Sequence, residues 1–510
     1  MGSATSDEYS WREVRPRRWE RNIDEAEQFY TSLAKAYEGT GRTFFAITGA
    51  ISLAIPADGK LSPRETEERS VAALRAAWVQ MRYHHPTIAS RVEYNVDEKR
   101  CKKVYETFPG PSSIREWTDE TFRVMSNGMT AIEWCNADPP VPKLPTLFLL
   151  RVPSGDGTFR ADLVLRAHHD IIDGMETLLL FKNLFTHAAL AYTQDMGYSL
   201  PNFGSEWHNL SPAFRVAAAI PDSLSTTQHD RMQQILNFNA SAKEDVEIAS
   251  PPFKKENDLP GKHQRIAITL SPEQTKRLLD RCHAADLSVT QAYHTAIALA
   301  VRDKQECRGE AHKVRYMSYC LINERPHCKL PYSTPSHPAS VYHSVSGRCL
   351  AIDMIVPALS STVETAIDSC GFKFEFSDIA RSVRNFYLSI RDDNEHIFLA
   401  PSYWAMSTIP YTSDGSTQSI PARNNAPSVS ISSMGVLDKV IHHEYGPFQL
   451  DDPWVTGEEL GTGIGVFLSS WKGRLTLSAA YNDAWHDQRE VMDFLECCNR
   501  SVFAGLEVTG

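Results

Sequence analysis

Several patterns are missing from this chain, and each absence closes off a class of function. No uninterrupted apolar run reaches membrane-spanning length: the stretch 178–191 is broken by Lys182, Asn183 and His187. Positive charge is not in excess. A formal net charge of −11 leaves little basic surface to neutralise phosphates, which argues against a nucleic-acid partner. The ten cysteines form no Cys-x-x-Cys pair and are scattered through a 510-residue chain that needs no staples, so they read as reduced thiols of a cytoplasmic protein. There is no Gly-x-Ser-x-Gly elbow, no glycine-rich phosphate loop and no His-Glu-x-x-His zinc helix. The amino-terminal stretch is polar and lacks the apolar core of a signal peptide. Residues 1–6 formally fit a myristoylation pattern, read here as a chance match.

What is present is an ordinary globular composition, 42% hydrophobic and 23% charged, in a chain too long for one core. Two large subdomains follow. Residues 1–200 form the first half. Residues 201–262, where Pro201, Pro212, Pro221, Pro251, Pro252 and Pro260 interrupt the patterning, read as a crossover, partly mobile around 240–262, and 263–510 form the second half. Both halves repeat one grammar. Ser62-Pro63-Arg64-Glu65 and Ser271-Pro272-Glu273-Gln274 are capping boxes with proline at the first helical position, and Ser288 with Gln291 is another. The first opens a helix striped by Val71, Leu74, Trp78 and Met81 that must stop before Pro86. Lys472-Gly473 marks a hairpin turn before a last helix capped at Asp487.

The most informative stretch runs from Ala161 to Met175. Leu163, Leu165 and Ala167 alternate as in a strand, which delivers His168 and His169 to its end; Asp173-Gly174 then opens a helix rich in Leu and Phe. A neutral imidazole at such a loop can take a proton from an alcohol or a thiol. Asp173 can brace the loop, and Gly174 is expected to supply a backbone conformation that a side chain would resist. His84-His85 resemble a second catalytic pair but read as residues suited to a helix carboxyl end, while His442-His443 with Glu444 and His327 with Cys328 lack a ligand spacing that fixes a metal and read as exposed loop residues. No metal is expected.

The word His-His-x-x-x-Asp-Gly on a strand-to-helix loop resembles the active-site motif of the CoA-dependent acyltransferase superfamily, which includes BAHD-type enzymes, chloramphenicol acetyltransferase and peptide-synthetase condensation domains. The resemblance implies an α/β fold of two chloramphenicol-acetyltransferase-like subdomains, each a mixed sheet flanked by helices, with the site in a tunnel between them. It implies His169 as general base and Asp173 as its structural partner, with His168 and Gly174 supporting the loop. Asn323-Glu324-Arg325 is similar to the family's Asn/Asp-x-Arg element, so Arg325 is expected to hold Asp173. Ser432-Ser433-Met434-Gly435 resembles a tunnel-lining element in which Ser432, Ser433 or the backbone at Gly435 would face the oxyanion. Tyr481-Asn482 resembles a structural element of condensation-type folds.

The Asp-Phe-Gly-Trp-Gly word of plant BAHD enzymes is absent; the nearest stretch is Tyr445 to Trp454. Trp19 to Asp24, Trp207 to Val216 and His337 to Tyr342 resemble the fungal trichothecene 15-O-acetyltransferases instead. That likeness implies a cytoplasmic, monomeric enzyme of fungal secondary (mycotoxin) metabolism. It would move acetyl from acetyl-CoA, a co-substrate rather than a bound cofactor, to a small hydrophobic alcohol. Residues that hold the CoA phosphates are not identifiable, though Lys and Arg around 240–262 are candidates by charge. Two other readings stay open at this point: a condensation-type enzyme fed by a carrier-protein thioester, and a degenerate terpenoid-binding protein.

Overall fold

The computed structural model describes residues 7–508, apart from 57–58, 60, 155–156, 360–368 and 413–419. The myristoylation-like start and the tip of the hairpin before the histidine motif therefore lie outside the described residues. Two cores organise the chain. In the first, a six-stranded mixed sheet runs in the order Glu444–Tyr445, Phe448–Gly457, Ile47–Ile55, Phe159–Ala167, Thr146–Val152 and Phe122–Met125. Its central strands are covered on both faces, so Phe159–Ala167 buries every residue but Arg160. Helices Pro63–His84 and Gly174–Gln194 pack together against it, bringing Leu74, Trp78 and Met81 into one cluster with Phe181, Leu184 and Phe185. Each such side chain contributes about 1.5–3 kcal/mol on burial. The capping box at Ser62 and Glu65 forms as expected, with proline at the helix start.

The second core is built on the sheet His263–Thr269, Arg474–Asn482, Ile464–Trp471, Val429–Val436. Helices Val289–Asp303, Ser369–Arg391 and Gln488–Gly505 cover it. Lys472 and Gly473 both take positive φ, 48° and 72°, the twist a two-residue hairpin turn demands. The nine described cysteine side chains are all free thiols. Among the described residues, no helix is long and apolar enough to cross a membrane.

Three features depart from the linear reading. Strand Phe448–Gly457 belongs to the second half in sequence but pairs with Ile47–Ile55, and its Phe448, Leu450 and Val455 sit in the first core. The 201–262 stretch is not featureless. It holds helix Thr226–Ser241, capped by Ser225 and Gln228, whose short apolar stripe (Met232, Ile235, Leu236) is only half-buried. Its far end is tied down: Gly261 N–H donates to Asn482 Oδ1 at 2.7 Å, while Asn482 Nδ2 donates to the Gly261 and Glu459 carbonyls, which makes Asn482 a structural residue.

Candidate active site

Strand Phe159–Ala167 ends at the histidine pair, and a tight turn closed by Ile171 N–H to the His168 carbonyl leads to Asp173. Asp173 is the N-cap of Gly174–Gln194: its Oδ1 accepts Glu176 N–H at 3.0 Å and its carbonyl accepts the Thr177 hydroxyl at 2.7 Å. The loop is also held from the side. Buried Lys103 donates to the Asp170 carbonyl and, at 2.5 Å, to Glu27, which is itself paired with Arg21. Glu27 lies on helix Glu25–Ala36, one turn before Tyr30, so one buried charge cluster fixes both the motif loop and the tyrosine facing it.

The half-buried His169 ring stacks on Tyr30, centroids 3.9 Å apart and planes 12° off parallel. The Tyr30 hydroxyl lies 2.8 Å from His343 Nε2, and His343 Nδ1 lies 3.2 Å from Asp173 Oδ2. One neutral tautomer satisfies both contacts, with Nδ1–H donating to the carboxylate and Nε2 accepting the phenol O–H. His343 is 5.1 Å from His169 ring to ring, and Phe29, Phe45 and Trp404 complete an aromatic wall around Tyr30. Neither Tyr30 nor His343 is signalled by the motif. His343 follows directly on the 337–342 stretch that carried the family likeness, and its partner strand is that of Asn323.

The electrostatics sort the groups. Burial pushes His169 down to about 3, against the pull of the Asp173 carboxylate, so the imidazole is neutral. Burial works to raise Asp173 too. The hydrogen bonds from Glu176 and His343 outweigh it and hold that carboxyl well below the ordinary range. Glu176 goes the other way, raised by burial and by the neighbouring Asp173 charge.

Arg325 does not hold Asp173. Its guanidinium takes the buried Glu176 carboxylate, through Nε at 3.0 Å and through Nη2, together with the carbonyls of Tyr332, Thr334 and His337 and the Ser340 hydroxyl. It therefore braces the first turn of the motif helix one residue-triplet further on, and His343 fills the place expected for it. Gly174 also has a different reason from the expected one. Its φ is ordinary, but a Cβ there would lie 3.0 Å from Met434 Cε and 3.2 Å from Sδ. The Ser432-to-Gly435 segment thus does reach the motif, through Met434. Ser433 instead accepts the Thr290 hydroxyl at the surface, Ser432 is half-buried, and Gly435 takes φ 70° at a bulge. His168 is lowered by burial and faces the Pro142 carbonyl. His84 stacks on His187, and His85 bonds Asn183, away from the motif pair. Lys254, one of the basic residues of the crossover, is paired with Asp487.

No family model matches the chain. Two curated proteins of Monascus ruber do: O-acetyltransferase pigM, 25% identical over 484 residues (94% of this chain, 84% of that protein), and acetyltransferase pigO, 22% identical over 481 residues (94% of each). Both relatives are acetyltransferases, and the chain, with its histidine–aspartate loop on paired mixed sheets, is an enzyme of the acyltransferase class. In fold it is similar to the TRI3 trichothecene 15-O-acetyltransferase of Fusarium sporotrichioides, with a TM-score of 0.78 at 17% identity over 99% of this chain and 98% of that one.

Proposed function

We propose that the protein is an O-acetyltransferase that moves acetyl from acetyl-CoA to a hydroxyl of a hydrophobic secondary metabolite, with His169 as general base. The observation that carries this is the neutral imidazole at the end of the motif strand, stacked on Tyr30 and facing a fixed carboxylate. His169 takes the hydroxyl proton as the oxygen attacks the thioester carbonyl, and the Asp173 charge stabilises the imidazolium that forms. Collapse of the tetrahedral oxyanion expels the CoA thiolate, which takes the proton back from His169. No acyl-enzyme is required, so donor and acceptor meet in a tunnel between the halves.

Base catalysis of this kind contributes on the order of 10²- to 10⁴-fold. The remainder comes from orientation and from donors to the oxyanion, for which the Ser432-to-Gly435 segment is the candidate. The aromatic wall of Phe29, Phe45 and Trp404 suits an apolar acceptor. Beyond Phe45 lies a cavity of about 320 Å³, lined also by Phe44, Ser430, Glu459 and Trp485. The acceptor class proposed is a terpenoid alcohol of the trichothecene kind, reacting at its 15-hydroxyl. The test is release of free CoA thiol from acetyl-CoA with a panel of polycyclic alcohols, a 15-hydroxy trichothecene among them. Turnover with at least one acceptor, lost in His169→Ala, supports the reading; no thiol release with any acceptor overturns the CoA donor.

A further inference from the structure

We propose that Glu324, His327 and His396 form a binding site for a divalent transition-metal ion, separate from the acyl-transfer centre. One ligand atom from each of the three lies within 4.8 Å of the other two. They converge from distant parts of the chain. Glu324 follows strand Leu321–Asn323 and precedes the single 3-10 turn Arg325–His327, while His396 opens helix His396–Ser407. Sequence spacing cannot reveal this set, because Glu324 and His396 lie 72 positions apart.

Two of the three are already oriented as ligands. Glu324 is fully buried, fixed by the Ser344 hydroxyl, and presents Oε1 and Oε2 to His396 Nε2 at 2.9 and 3.1 Å. The other ring nitrogen of His396 bonds the Asp393 carbonyl. That is the arrangement by which a backbone acceptor fixes the tautomer and aims a ligating nitrogen. The exposed His327 stands edge-on to His396, rings 5.3 Å apart at 85°, and no hydrogen bond to its ring is found among the described residues. It closes the set from the solvent side, which leaves an entry path and room for water as fourth ligand. Cys328 does not join, since its thiol is directed at the Glu324 carbonyl, 3.6 Å away. Two imidazoles and one carboxylate suit zinc, cobalt or nickel and not magnesium or calcium.

The ion would replace the proton between Glu324 and His396, releasing it to solvent, and draw in the His327 ring. Glu324 adjoins Arg325, which braces the motif helix through Glu176, so occupancy would stiffen that turn. An ion pair between Glu324 and His396 needs no His327; a metal site does, and that difference is the test. Chelator-treated full-length protein is titrated with Co²⁺ and followed by its visible absorption and by calorimetry, then challenged with Zn²⁺. Wild type is expected to bind one ion with a d–d band, and Zn²⁺ to displace it and raise Tm. His327→Ala, at an exposed position, should fold normally and bind at least about 10-fold more weakly, as loss of a metal-site partner does. Equal binding by wild type and His327→Ala, or no Tm shift with Zn²⁺, overturns the site. Neither result depends on acetyl transfer.

Discussion

His343 places Nδ1 3.2 Å from the Asp173 carboxylate, and with Nε2 at the Tyr30 hydroxyl it joins the helix cap to the ring that stacks on His169. His343 acts through these contacts and is a positioning residue for the His169 face. Replacing it with Ala should lower kcat far more than it changes KM. A displacement of about 1 Å costs on the order of 10²-fold, and Tyr30→Phe, which keeps the stacking, should cost less. The kcat-to-KM split in steady-state kinetics checks this; a loss confined to KM would remove His343 from the catalytic geometry.

For His169→Ala, the expected loss in kcat is on the order of 10²- to 10⁴-fold with the fold intact. Circular dichroism together with thiol-release rates gives the answer. A variant that retains full turnover would move the base elsewhere.

The pH profile has a definite sign. His169 is depressed from its ordinary value to about 3, so the neutral, proton-accepting form persists on acidification well past pH 6.5. The kcat/KM profile should stay level from pH 8 down to about pH 5, with no acid limb near the usual histidine value. A limb centred near 6.5 would mean that an ordinarily solvated histidine supplies the base.

Arg325 and Glu176 form a buried pair, and removing one partner strands the other. Arg325→Met should destabilise the protein by about 3–5 kcal/mol, with part of that recovered when Glu176→Gln is added. Denaturant unfolding of the two single variants and the double variant measures the coupling. Strict additivity would show that the pair does not brace the motif helix.

Gly174→Ala tests contact against backbone strain. Because φ is ordinary and the nearest atoms, 3.0 and 3.2 Å from the added Cβ, are the flexible end of Met434, the overpacking cost should be small, below about 1 kcal/mol. Adding Met434→Ala should relieve it, which backbone strain would not permit.

The strand-to-helix motif, the caps at Ser62, Ser271, Ser288 and Asp487 and the Lys472-Gly473 turn were legible in the chain, because each is dictated within a few residues by periodicity, by hydrogen bonding to helix ends or by φ. His169 and Asp173 belong to this class. Helix Thr226–Ser241 escaped because its apolar stripe is short and only half-buried, and strand Phe448–Gly457 because its partner lies some 400 positions away, a pairing that only the packed sheet creates. The same limit governed the site. That Asp173 is bonded by His343 while Arg325 takes Glu176 one turn on, and that Tyr30 and not a serine lies against His169, are matters of which side chains meet across separately built elements. Local sequence sets the chemistry each residue can perform, while tertiary packing decides its partner, because burial and hydrogen-bond geometry are properties of the assembled core.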